Sequence, residues 1–337
     1  MELGKFPPEL LQKLLAKSVS QDPQVLVGPG IGQDAAVIRQ VGGLLVAKSD
    51  PITFATDRIG WYAVQVNAND VACTGATPRW FLATLLVPQS FTPAQAEAVF
   101  DQVLEACHAL GVTLIGGHSE VTYGLDRPIV MGSMLGEVAP DRLVRSSGAQ
   151  EGDSIVLTKG IAIEGTALLA RERGAALAQA GVAPETIEQA TALLHNPGIS
   201  VVKEAGVACS AITVHAMHDP TEGGLATALR ELAQASGLGL VVDAESIPVL
   251  SQTEAICRAL QLDPLGLLAS GALLITLAAG EVPALLGQLD RQGIPAFEIG
   301  QMVASEDGLV LLKRDGSETP LPVFQRDELA RYFAEKA

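Results

Sequence analysis

Asn67-Ala68-Asn69-Asp70-Val71-Ala72-Cys73-Thr74-Gly75-Ala76-Thr77-Pro78 closes a mostly apolar stretch of helical length and then stops it with Gly75 and Pro78. The spacing predicts a helix over 60–74, followed by a buried strand over the continuous apolar run 80–87. Asn67 and Asp70 share one face of that helix. Burying such groups without partners costs about 1–3 kcal/mol each. The pattern therefore favours polar residues that face a cleft or hold something over residues sealed in a core.

Working outward, four more segments combine a carboxylate with glycine or with a helix start: Gly30-Ile31-Gly32-Gln33-Asp34, Lys48-Ser49-Asp50-Pro51, Gly116-Gly117-His118-Ser119-Glu120 and His218-Asp219-Pro220-Thr221-Glu222-Gly223-Gly224. Together such pieces suit a polyphosphate, with carboxylates holding Mg²⁺ and glycine N–H groups and helix N-termini holding phosphate oxygens. Asp34 alone reads as an Asx-type turn at a strand start. Gly223 and Gly224 fall in the first turn of a helix predicted over 221–236, where each costs up to about 1 kcal/mol relative to alanine. A phosphate against bare backbone accounts for that cost; tight packing against a neighbouring element is the alternative. His118, His215 and His218 suggest zinc only if they converge, and they read as ordinary polar histidines.

The first half predicts strands at 35–39 and 44–48, the helix 60–74, the strand 80–87, and a helix from a Thr92-Pro93-Ala94-Gln95 capping box to Gly111. Strands at 112–115 and 129–138 flank 116–120, which reads as a turn. This is an α+β order rather than a strict alternation. A polar, glycine-rich stretch at 145–152 marks the domain boundary. Beyond it come strands at 154–159, 211–216, 240–243, 273–277, 296–299 and 309–312. Helices are predicted at 164–173, 184–194, 221–236 and 282–292. A helix at 7–17 begins the chain, and a charged, peripheral one at 325–336 ends it. The domains run 1–148 and 149–315, with a helical tail at 316–337.

Composition bounds the function. The 337 residues carry 22 Lys+Arg against 38 Asp+Glu, a net charge of −16, without a basic run. No cationic face is available for a nucleic acid, and a nucleotide would be repelled unless metal ions intervened. No apolar run approaches a membrane span and the first residues do not resemble a signal peptide, so a cytoplasmic protein is expected. Cys73, Cys107, Cys209 and Cys257 form no C-x-x-C pair and argue against a disulfide framework or thiolate zinc site.

As a set, Gly32-Gln33-Asp34-Ala35-Ala36-Val37-Ile38, the 67–78 stretch, Asp219-Pro220-Thr221-Glu222-Gly223-Gly224-Leu225-Ala226-Thr227 and Leu262-Asp263-Pro264-Leu265 are specific. The chain resembles the superfamily of aminoimidazole ribonucleotide synthetase, selenophosphate synthetase, thiamine-monophosphate kinase and the hydrogenase-maturation protein HypE, and looks most like HypE. The resemblance implies an α+β two-domain PurM-like fold, with an N-terminal domain that pairs across a homodimer axis to close a β-barrel and a C-terminal α/β domain. It implies ATP in the cleft between them. By motif match, Asp34, Asp50, Asp70 and Asp219 would be the Mg²⁺ or phosphate-side carboxylates, and Asn67, Thr221, Gly223 and Gly224 would lie along the nucleotide. The shared chemistry is ATP-dependent phosphorylation of an oxygen, often of an amide or carbonyl.

Departures from HypE are as specific. The last cysteine is Cys257, where HypE carries one at its C-terminus. His118 and Glu120 stand where HypE usually has an aspartate and a lysine, which makes them the candidates for catalysis here. Ala269-Ser270-Gly271-Ala272 replaces an Asn-Glu-Gly-Lys motif. Three readings follow: an ATP-dependent enzyme acting on a separate small-molecule or carbamoyl-type acceptor, a non-catalytic nucleotide-binding accessory protein, or a small-molecule kinase.

Overall fold

The computed structural model describes residues 22–28, 33–53 and 57–336, together with Gln12. The helix predicted at 7–17 and the glycines at 30 and 32 lie outside them. The chain forms two compact units, one of Asp34–Leu143 with residues 22–28, the other of Val144–Ala337.

In the first unit, β1 (Val25–Val27), β2 (Ala36–Gln40), β3 (Gly43–Ile52), β4 (Thr77–Val87), β5 (Thr113–Val121) and β6 (Ile129–Val138) form one sheet in the order β1-β2-β3-β6-β4-β5. Only the β4–β5 pair is parallel. Among the described residues this sheet is open and not closed into a barrel. Helix α1 (Ile59–Cys73) lies on it with all fifteen residues buried, as expected for a helix apolar nearly all round. Gly132 on β6 permits that close approach, because a Cβ there would run into the Asn67 amide and the Phe81 ring. Helix α2 (Pro93–Leu110) begins with the expected capping box. Gln95 N–H donates to Thr92 Oγ1 at 3.3 Å, and Thr92 N–H to Gln95 Oε1 at 2.8 Å. The 116–120 segment is not a turn. Gly116 and Gly117, both at φ +150°, carry β5 on alongside β4 past a register shift at Ile115.

In the second unit, β7 (Asp153–Thr158), β8 (Ala216–His218), β9 (Gly239–Asp243), β10 (Leu274–Ala278), β11 (Ala296–Val303), β12 (Leu309–Leu312) and β13 (Glu318–Pro320) form a mixed sheet in the order β13-β12-β9-β11-β7-β10-β8. Around it lie α3 (Ile163–Gln179), α4 (Pro184–Ala192), α5 (Val202–Ala211), α6 (Gly224–Ser236), α7 (Ser251–Leu260), α8 (Val282–Arg291) and α9 (Glu328–Lys336). Its core joins Ile155 and Leu157 of β7, Leu225 and Leu229 of α6, and Leu274 of β10. The strand predicted at 211–216 is instead the end of α5, a connection and the start of β8. Helix α9 is not peripheral: Leu329, Ala330 and Tyr332 are buried. No helix among the described residues is long and apolar enough to cross a membrane.

Candidate functional site

The first unit gathers three of the predicted carboxylates around one lysine. Side chains alternate along β3, so Lys48 and Asp50 share the face beneath α1. Lys48 Nζ lies 3.2 Å from Asp70 and 3.5 Å from Asp50. Burial opposes its charged form, but the charges of Asp70, Asp50 and Asp34 outweigh that and hold the ammonium well above the usual lysine range. Asp70 and Asp34 are buried. Asp34, Asp50 and Asp70 offer only hard oxygen donors, a set that fits Mg²⁺ rather than a softer metal.

Asn67 is fully buried and works as a bracket. Its amide donates to Asp50 O at 3.1 Å and, one turn back, to Ala63 O at 2.8 Å, tying α1 to β3. The backbone thus meets the needs of its N–H donors, while its Oδ1 is buried without a hydrogen-bond partner among the described residues. His118 and Glu120 are exposed on the edge strand β5, with Nε2 3.4 Å from Oε2. Asp50, Gly132, Ala83 and Gly117 form one row across β3-β6-β4-β5, so His118 stands about 14 Å from Asp50, three strand spacings away. Within this unit the structure does not bring it to the carboxylates.

In the second unit Asp219, Thr221, Gly223 and Gly224 belong to the turn between β8 and α6. Asp219 is buried. Thr221 O accepts from Gly224 N–H at 3.1 Å and Ala269 N–H at 3.2 Å, stitching the turn to the loop before β10. Gly223 (φ +82°) donates its N–H to Asp327 at 2.6 Å, and a Cβ on Gly224 (φ +67°) would overlap Leu265 O. Backbone geometry and close packing, the alternative reading, account for the two glycines, and a protein carboxylate takes the Gly223 N–H.

Two buried acids that the sequence reading missed flank this turn. Glu164, in the first turn of α3, is pushed up to about 7 by burial; a hydrogen bond with Ser270 opposes this, and the Asp327, Glu222 and Asp219 charges add to it. Asp327 is likewise pushed up to about 7 by burial against its accepted N–H bonds, with Glu222 reinforcing the rise. Nearby, burial pulls Lys159 down against Glu204, 2.8 Å away, and its ammonium donates to Gly198 O and Ser200 O. His215 and His218 pair with Asp153 and Glu231, as ordinary polar histidines do. Lys48 could have been noticed from its i, i−2 spacing to Asp50 on a strand; Glu164 and Asp327 carry no local signal.

Residues 32–138 match the AIR synthase related protein N-terminal domain and residues 150–313 the C-terminal domain of the same description. The chain belongs to the AIR synthase related protein family. A putative hydrogenase expression/formation protein of Methanocaldococcus jannaschii is 30% identical over 319 residues, 91% of each chain. The carbamoyl dehydratase HypE of Cupriavidus necator is 30% identical over 314 residues, 90% of this chain and 84% of that one. Among solved structures, a hydrogenase maturation protein HypE in complex with ATP superposes with a TM-score of 0.68 at 23% identity, covering 98% of each chain. AaThiL complexed with AMPPCP and TMP gives a TM-score of 0.71 at 20% identity, over 94% of this chain and 97% of that one.

Proposed function

We propose that the protein is an ATP-dependent enzyme of HypE-like ancestry that binds Mg·ATP and phosphorylates an amide- or carbamoyl-type oxygen of a separate acceptor. The observation that carries this reading is the convergence of Asp34, Asp50 and Asp70 on Lys48. An acidic chain holds so many carboxylates together only with a cation, and Lys48 supplies one positive charge against three negative ones. In this reading Asp34, Asp50, Asp70 and Asp219 hold Mg²⁺, and Thr221 lies along the nucleotide. Mg²⁺ would neutralise phosphate charge during transfer. Asn67 fixes the backbone of Asp50 against α1, and Lys48 keeps the carboxylates gathered when the metal is absent.

A separate acceptor is supported by two of the four thiols: burial pushes Cys107 up to about 11 and Cys257 up to about 12, far from the thiolate a covalent carrier needs. The name of the Cupriavidus relative supports the carbamoyl-type chemistry, and the ATP-bound HypE neighbour supports the nucleotide. The AaThiL neighbour keeps a small-molecule kinase as the second reading. Titration calorimetry tests the binding: micromolar Mg·ATP affinity is expected, lost in excess chelator, and equal affinity without metal overturns the reading. Labelled ATP then separates the two chemistries, since a kinase yields a stable phosphoryl product and a dehydratase yields free phosphate.

A further inference from the structure

We propose that Asp327 is a positioning residue of the 219–224 turn: a carboxyl group supplied by the chain's own C-terminal segment, which caps the amino end of α6 and holds the turn in place. One carboxylate bridges two helix starts. Its Oδ2 accepts from Gly223 N–H at 2.6 Å, just before α6, and its Oδ1 accepts from Leu329 N–H at 2.7 Å, in the first turn of α9. Each helix start presents unsatisfied N–H donors and a partial positive charge, so an anion shared between them is attracted at both.

The segment is seated independently of that contact. Glu328 accepts from Asp263 N–H at 2.9 Å, Arg331 donates to Gln261 O at 2.9 Å, and Arg230 of α6 donates to the carbonyls of Leu321 and Pro322. The Phe324 ring packs so closely on Gly266 that a Cβ there would overlap it. Asp327 is thus delivered to Gly223 by a docked wall rather than by a loose tail. By holding Gly223 it sets the course of the backbone that presents Asp219 and Glu222. This role rests on the reading of Asp219 as a phosphate-side carboxylate, but the contact itself does not.

The test uses the full chain with Asp327→Ala, Asp327→Asn and Asp327→Glu, and formate as the probe at constant ionic strength. Alanine should lower the thermal midpoint by roughly 4–8 °C, the scale expected for two lost caps in a domain of this size. Formate should restore at least half of that loss, and leave the wild type and the asparagine variant, which keeps one acceptor oxygen, unmoved. Mg·ATP affinity should fall about tenfold in the alanine variant and recover with formate, while glutamate gives partial recovery unaided. Equal formate responses in wild type and alanine variant, or a loss in the alanine variant that formate does not touch, overturn the proposal. If the alanine variant does not fold, the asparagine variant decides: an unchanged midpoint and an unmoved Gly223 amide resonance sink it. Should the wild type bind no Mg·ATP, the proposed function fails and the formate response still decides the role of Asp327.

Discussion

At the scale of single residues the balance is electrostatic. Lys48 stands among Asp34, Asp50 and Asp70 with its side chain 21% exposed. Lys48→Met leaves the three carboxylates facing one another, a loss of up to about 3 kcal/mol, the low end for a broken buried ion pair because Lys48 and Asp50 are partly exposed. Millimolar Mg²⁺ should raise the urea midpoint of this variant more than that of the wild type; equal responses would mean that the cluster does not hold the ion. Glu164 carries a pH prediction. Its ordinary value of 4.5 rises to about 7 in the fold. Between those values the folded chain keeps a proton that the unfolded chain has lost, so stability falls as pH rises through the window and levels off above it. Glu164→Gln removes that dependence. Without divalent cations it should gain about 1–3 kcal/mol relative to the wild type between pH 5 and pH 8, and a constant difference would refute the assignment. The carboxylates stood out in the sequence because Asp34 follows a glycine-rich loop, Asp50 precedes a proline and Asp70 interrupts an apolar run. Their lysine was legible only in part: its spacing to Asp50 places the two on one strand face, but its convergence with Asp34 and Asp70 is a long-range fact that no local spacing encodes. The bracket role of Asn67 was not legible, because its acceptors, the carbonyls of Asp50 and Ala63, are backbone atoms, which residue patterns do not show.

At the scale of elements, local chemistry was legible where it is self-contained. The Thr92 to Gln95 capping box and the Gly111 stop of α2 follow from four residues and one. Thr92→Ala should cost about 1 kcal/mol in urea unfolding, and no loss would show the cap to be idle. Helix α1 was legible as a helix from its length and apolar content. Its depth was not, because that depends on Gly132 and Gly136 of β6, some sixty residues away, leaving room for it. β5 was misread because a diglycine signals a turn unless a neighbouring strand holds it extended, and β4 does so here. Helix α9 was misread as peripheral since its charges suggest solvent. Glu328 and Arg331 are instead used on each other and on the backbone of the 261–263 segment.

At the scale of the whole molecule, one strand calls for a partner. β5 ends the first unit's sheet and offers a nine-residue edge beyond which no strand of the chain pairs among the described residues. Beside that edge Ile115, Val121 and Tyr123 are 50%, 61% and 94% exposed, and Met131 of β6 is 43% exposed. Natural sheets blunt such edges with charge, proline or a covering element, since a bare apolar edge pairs with whatever strand it meets. Glu120 is the one carboxylate along β5 and supplies little of that protection against the exposed Ile115 and Val121. The occupant we expect is a second copy, since a closed, symmetric pairing removes the edge from both chains at once and leaves no open end for further growth. Light scattering should then give twice the 35.0 kDa chain mass. Ile115→Lys with Val121→Lys should shift the protein to the single-chain mass without unfolding it, because both side chains point away from its own core. A wild type that stays at the single-chain mass across micromolar concentrations, or a double variant that remains paired, would place the interface elsewhere and leave the open sheet of the first unit without its proposed closure.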